Sequence, residues 1–299
     1  MAGAFLTLIF FAVTAVFAGR SALLLGPVPA NLARLVVAAL VLGSWVAFQG
    51  GAAAGPSVAA WLFLSGVAGF GLGGLAMFQA LPRLGASLSM LIVQCLTVWV
   101  AAGGEAAWLG TRLGAGQWAL AALTVLGVAI GLMPSSWPSL EPRAWRTGVA
   151  WALVSALGQG LGAVISRKAY AVAHLAGRIP DPGEAAWLRV LGGLGVAAAA
   201  LVWCAARRRR ETDTPADGGL RRAWPWVAAN ALTGPVLGVA CYQWALSSTP
   251  AGLVQPVVSA SPLLTIPFAL WLEGRRPKPR YYAGAVVAVA GVVLLSLTA

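Results

Sequence analysis

The chain has 299 residues, of which 60% are hydrophobic and only 9% charged, against about 25% charged in an ordinary soluble domain. A soluble fold of this length has no interior large enough for so much apolar surface, whereas a bilayer absorbs it. The net charge of +12 falls mostly in connecting segments, where Lys and Arg orient a membrane protein, and this distribution argues against nucleic acid as a partner.

Crossing a hydrocarbon core about 30 Å thick takes ~17–25 apolar residues as a helix. The sequence predicts such spans at 4–25, 29–48, 59–80, 84–108, 115–133, 146–168, 184–204, 224–246, 250–272 and 281–297. A β-barrel would show segments of ~10 residues alternating in polarity, and none is present in the sequence. The expectation is an all-α polytopic membrane protein with ten transmembrane helices. The first span is too long, and too closely followed by the second, for a cleavable signal peptide. Cys95, Cys204 and Cys241 lie in or at the edge of spans and are odd in number, so no disulfide framework follows. The single histidine, His174, is placed in a loop, so no metal site is expected either.

The second five spans echo the first five. Span 3 ends Phe78-Gln79-Ala80-Leu81 and span 8 ends Gln243-Trp244-Ala245-Leu246. After a very short turn, Ala86 opens span 4 and Ala251 opens span 9; Thr97 and Pro262 each follow eleven residues later. Spans 5 and 10 close with Gly127-Val128 and Gly291-Val292, and Arg34 and Arg189 sit in the first third of spans 2 and 7. Arg20 and Arg167 are read as closing spans 1 and 6. An odd number of spans per half sends the second half into the membrane from the opposite side. Inverted repeats of this kind, here 1–133 and 146–299, place a binding site near the midplane and operate by alternating access.

The same residues carry a resemblance. The stretch from Tyr242 through Gln243-Trp244-Ala245-Leu246, Ala251, Pro262, Glu273-Gly274-Arg275 and Gly291-Val292 resembles the second half of an EamA-type member of the drug/metabolite transporter superfamily. The first half is similar but degenerate, with Thr97 at the position of the proline and Thr111 at that of the loop glutamate. The resemblance implies a ten-helix secondary transporter of small metabolites or drugs, often an exporter, in a cytoplasmic membrane.

Connections after odd-numbered spans carry fourteen of the twenty Lys and Arg residues, and those after even-numbered spans carry four, Arg112, Arg167, Lys168 and Arg178. The positive-inside rule therefore predicts odd connections in the cytoplasm and both termini outside, while the resemblance implies both termini inside. The arginines of 207–222 serve chiefly as this orientation signal and are positioned to hold anionic lipid headgroups.

Gly69-Phe70-Gly71-Leu72-Gly73-Gly74 matches a dinucleotide fingerprint but lacks the preceding strand that the fingerprint needs. It reads as close helix packing, as do Gly127-x-x-x-Gly131, Gly158-x-x-x-Gly162 and Gly234-x-x-x-Gly238. Arg34 and Arg189 have two readings: side chains that snorkel to the headgroups, or one that faces a cavity and attracts an anionic group. No carboxylate lies at mid-span; Glu105, near the end of span 4, is the candidate for proton coupling or gating, and Pro262 in span 9 for a bent gate helix. Uncharged polar and aromatic residues on spans 1, 3, 4, 6, 8 and 9 are the candidate substrate-binding set: Thr14, Gln79, Gln94, Trp99, Gln159, Tyr242, Gln243, Trp244, Ser259 and Ser261. Together they describe a neutral pocket with aromatic walls and amide handles, suited to an amphipathic, zwitterionic or drug-like solute.

The sequence thus predicts a carrier of a small organic molecule in the cell membrane, moving it outward without a cofactor. For the drive the sequence leaves three alternatives open: proton coupling, exchange for a counter-substrate, and no coupling. Facilitated exchange or import, and a non-transporting assembly subunit, are the competing readings. No nucleophile–base pair marks an enzyme, and no Walker sequence marks a primary pump.

Overall fold

A computed structural model describes residues 1–134, 141–207, 219–265 and 279–298. Expectations for Arg208–Arg210, Glu273, Arg275 and Arg276, and for the side chain of Cys204, lie outside the described residues.

Among the described residues the chain forms ten helices, one for each predicted span. They are α1 Ala2–Leu25, α2 Pro27–Phe48, α3 Pro56–Leu84, α4 Ala86–Leu109, α5 Ala115–Leu132, α6 Pro142–Leu175 and α7 Pro182–Arg207. Then come α8, in three consecutive segments Gly219–Ala231, Leu232–Gly238 and Val239–Ser248, α9 Ala251–Thr265, and α10 Pro279–Ser296. Eight of them, all but α8 and α9, are each long and apolar enough to cross a membrane. Proline occupies the first turn of α2, α3 and α6, where its missing N–H costs nothing. Gly85, at φ +80°, is the single residue between α3 and α4; a side chain there would strain the left-handed backbone.

The clearest departure from the sequence reading is α6. Its 34 residues rise about 51 Å at 1.5 Å each, so the helix runs seven residues past the expected end. Arg167 therefore lies inside a helix rather than closing one, and His174 stands in its last turn. Helix continuation through Arg167 costs little because its charge finds partners within the bundle.

Helices α3 and α8 share an uncommon feature. Each widens into a π-helical segment, Val67–Gly73 in α3 and Leu232–Gly238 in α8, and these two segments stand 165 residues apart, as do Ala86 and Ala251. Such bulges leave backbone groups out of the ordinary ladder and concentrate at functional sites. The inter-helix contacts are paired in the same way: α1 with α8 and α6 with α3; α4 with α6 and α9 with α1; α3 with α7 and α8 with α2. Helices α2 with α7, α4 with α9 and α5 with α10 complete the pattern.

Glycine sets how close these helices come. Gly127 and Gly131 of α5 pack on the backbone of α10 at Ala288 and Gly284, and Gly158 and Gly162 of α6 pack on Gly73 and Gly69 of α3. Backbones this close gain dispersion contacts that larger residues would forbid. Helix α9 is the innermost element. Residues 251–261 are buried on every side, and the burial relaxes from Pro262 to Thr265.

Candidate functional site

A polar layer crosses the bundle where α3, α6, α7, α8 and α9 meet, and among the described residues Arg189 is its one charge. The residue lies seven positions into α7 and is 5% exposed. Its guanidinium carbon stands 5.5 Å from the ring centres of both Phe70 on α3 and Tyr242 on α8. Two glycines of α3 make the room: Gly66 lies against the Arg189 backbone, and a Cβ on Gly69 would sit 3.0 Å from its Nη2. Ring faces attract a cation but accept none of its N–H bonds, and Nε and Nη1 are buried without a partner. The snorkelling reading is thus excluded for this residue. Arg34 differs: its Nε donates to Asn31 Oδ1 one turn back on α2, at 2.9 Å.

Neutral groups surround that charge. Tyr242 donates its hydroxyl to Gln255 Oε1 of α9 at 2.7 Å. Its neighbour Gln243, fully buried, donates Nε2 to Ser166 Oγ of α6 at 3.3 Å. Ser166 and Ser65 share a hydrogen bond at 2.8 Å, and Ser65 Oγ also lies 2.6 Å from the Gly162 carbonyl. The Gln243 Oε1 acceptor and the Tyr170 hydroxyl are buried with no partner. Unmet polar groups in a bilayer interior cost several kcal/mol each by the usual estimate of ~2–7, so four such atoms in one layer mark it as unfinished. Arg189 adds a positive charge to this layer that the neutral set drawn from the sequence does not include.

Toward the end of the bundle that holds Met1 and the α4–α5, α6–α7 and α8–α9 connections, a second polar assembly closes the packing. Glu105 is 1% exposed. Its Oε1 accepts Nε of Arg167 at 2.9 Å and its Oε2 accepts the Gly252 N–H at 3.3 Å. Arg167 Nη1 donates in turn to the Leu246 carbonyl at 2.6 Å. One ion pair thereby fastens the end of α4 to α6, to the last turn of α8 and to the first turn of α9. At the same end the Ala54 N–H donates to buried Glu184, and Trp45 Nε1 donates to Asp181. His174 adds a contact to the Ser247 carbonyl at 3.2 Å.

Of the residues proposed from sequence, the structure gathers Tyr242 and Gln243 in the layer. Glu105 stands in the seal, and Ser259 and Ser261 on buried turns of α9, where Ser259 Oγ donates to the Pro256 carbonyl. Pro262 follows the break in α9 at Ala260. Thr14 bridges to α8, donating to Asn230 Oδ1 at 2.7 Å, and Gln159 donates to Ser155 one turn back on α6 at 3.0 Å. Gln94 is half-buried on α4. Gln79, Trp99 and Trp244 stand apart. Gln79 is exposed near the end of α3 and accepts from Arg83; Trp99 stacks flat on Trp118 at 5.9 Å; Trp244 is 46% exposed. Ser65, Ser166, Tyr170 and Gln255 were missed. Serine among small residues gives no polar signal in a span, and Gln255 was hidden beside three prolines. Arg189 is visible in the sequence, but only its burial decides between its two readings.

Fold and site together define a polytopic, all-helical membrane protein with a charged polar layer at its interior. The family model described as the EamA-like transporter family matches residues 1–133 and 146–297, and the chain belongs to that family of the drug/metabolite transporter superfamily. A solved crystal structure superposes with a TM-score of 0.75 at 19% sequence identity, covering 100% of this chain and 96% of the other, which shows the fold to be shared. No curated protein matches the chain.

Proposed function

We propose that the chain is a secondary transporter that carries a small organic metabolite across the cytoplasmic membrane, outward, by alternating access. The observation that supports this most is the unfinished polar layer, which holds Arg189 together with Ser65 and Tyr242, each within four positions of the π-helical segments of α3 and α8, and which is sealed at one end by the Glu105–Arg167 pair. The layer supplies the site and the seal supplies a gate. In this reading residues 1–133 and 146–299 are inverted five-helix repeats, and the paired helix contacts are what such an axis requires. Tyr242 and Gln243 contact the solute. Thr14, Gln94, Gln159, Ser259 and Ser261 line the route that opens as the repeats rock, with Pro262 at the bend. Glu105 acts in gating rather than proton coupling, since both of its oxygens are already engaged by Arg167 and Gly252.

Loop charges support the sealed end as the outer one. Moving Arg167 from a connection into α6 leaves that side with fewer loop cations still, and the positive-inside rule then keeps the Arg20, Arg83, Arg143 end in the cytoplasm. In this reading the conformation is closed to the outside, with the looser packing of Pro262–Thr265 facing inward.

The test is a flux screen of small metabolites in proteoliposomes containing only this protein. Saturable flux of a chemically defined set, lowered in Gln243→Leu and Tyr242→Ala with membrane insertion intact, supports the proposal. Flux equal to that of protein-free liposomes across the screen removes it.

A further inference from the structure

We propose that Arg189 is the anchor for a carboxylate on the transported solute. The inference rests on the carrier reading above and narrows it to a solute bearing one negative charge.

The argument begins with what the guanidinium lacks. Arginine has five N–H donors and no acceptor, and a charge taken out of water is retained only with a partner. Among the described residues the ion pair is Glu105 with Arg167; Glu184 accepts from Ala54 and Asp181 from Trp45 and Gly183. Among the described residues no carboxylate bonds Arg189, and Nε and Nη1 are both buried and unbonded, so each of the guanidinium's two bidentate edges, Nε with Nη2 and Nη1 with Nη2, holds an unmet donor. Phe70 and Tyr242 hold the charge between their faces and so fix the plane of the fork without occupying its edge. That is the geometry in which a carboxylate is received by two parallel bonds.

The surroundings choose among anions. Arg189 is the layer's one cation; Arg167 is spent on Glu105 and Arg34 on Asn31. Every other polar group in the layer is neutral: Tyr170, Tyr242, Gln243, Gln255, Ser65 and Ser166. A single charge balances a carboxylate and under-compensates a phosphate dianion. The unbonded Gln243 Oε1 and Tyr170 hydroxyl remain for the solute's own polar groups. Lysine would not replace this residue, because a point charge lacks the planar fork.

The experiment measures binding to the full-length protein in detergent micelles by thermal shift. The probes are acetate, lactate, benzoate and butyrate, each paired with its carboxamide, and inorganic phosphate. The proposal expects at least one carboxylate to raise the unfolding temperature while its carboxamide does not. Arg189→Gln should weaken that carboxylate's apparent affinity at least tenfold, with Arg189→Lys intermediate. Removing an unpaired buried charge should also leave the ligand-free Arg189→Gln protein as stable as the original or more so, an outcome that a merely structural arginine would reverse. The proposal is overturned if no carboxylate stabilises the protein, if phosphate does so in their place, or if carboxamides and Arg189→Gln retain the effect. The same solutes in the proteoliposome assay separate the two claims. Flux indifferent to the carboxylate leaves the carrier and removes the anchor; carboxylate binding without flux keeps the anchor and removes the carrier.

Discussion

Glu105 and Arg167, 62 residues apart in sequence, meet at 2.9 Å and join four helices through one carboxylate and one guanidinium. Each partner also bonds a helix end, Gly252 N–H for the acid and the Leu246 carbonyl for the base. Both ends belong to the α8–α9 corner, so separating the pair frees that corner from α4 and α6 together.

Removing one partner leaves the other unpaired inside the bundle, a loss of about 3 kcal/mol for a buried pair. Glu105→Gln should lower the unfolding temperature and open the seal. A cysteine at Leu253, buried beside Gly252, should react with a membrane-impermeant maleimide faster in the Glu105→Gln background than in the parent. Equal rates would show that the pair is not a seal.

The α5–α10 contact rests on glycine. A side chain at Gly284 would run into Gly131 and Gly127 backbone atoms, and overpacking of a close contact costs about 1–3 kcal/mol or more. Gly284→Leu should destabilise the protein in detergent, while Gly103→Leu, whose added Cβ meets nothing within 4 Å, should not. Thermal unfolding of the two variants makes the comparison.

Tyr242→Phe removes one hydroxyl and leaves Gln255 Oε1 buried without its donor, at a cost of about 1–3 kcal/mol for an orphaned acceptor. Flux should fall while the aromatic face on Arg189 is kept, so carboxylate binding should survive better in Tyr242→Phe than in Tyr242→Ala. Titrating both variants with the same carboxylate checks the order.

Orientation is decided by side-specific labelling. Gly51→Cys and Ala86→Cys both introduce exposed thiols, at opposite ends of α3. The charge distribution predicts that an impermeant reagent labels Gly51→Cys in intact cells and Ala86→Cys only after lysis. The reverse pattern would place both termini inside.

Much of the architecture is legible in the sequence because a bilayer leaves few choices: each apolar run of sufficient length becomes a helix. The ten helices fall on the ten predicted spans, and the glycine pairs mark close packing as expected. The reach of α6 is not legible, since Arg167 and Lys168 read as a loop until Glu105 supplies the partner. The π-helical segments leave no local signature beyond glycine. The polar layer is half legible. Tyr242 and Gln243 stand out as amphipathic residues inside a span, whereas Gln79, Trp99 and Trp244 share that description and face elsewhere, because depth in a span says nothing about which side of the helix meets protein. Ser65 with Ser166, 101 residues apart, is a pairing made by tertiary packing alone.

The central claim is that one buried layer is reached in turn from each side of the membrane. A single cysteine at Ser166, with Cys95, Cys204 and Cys241 replaced by serine or alanine, can be probed in oriented proteoliposomes with an impermeant maleimide applied to either face. The account predicts labelling from both faces, and loss of labelling from the Glu105 side alone when a bifunctional thiol crosslinker joining cysteines at Glu105 and Arg167 locks the seal. Labelling from one face only, unchanged by that lock, would contradict it.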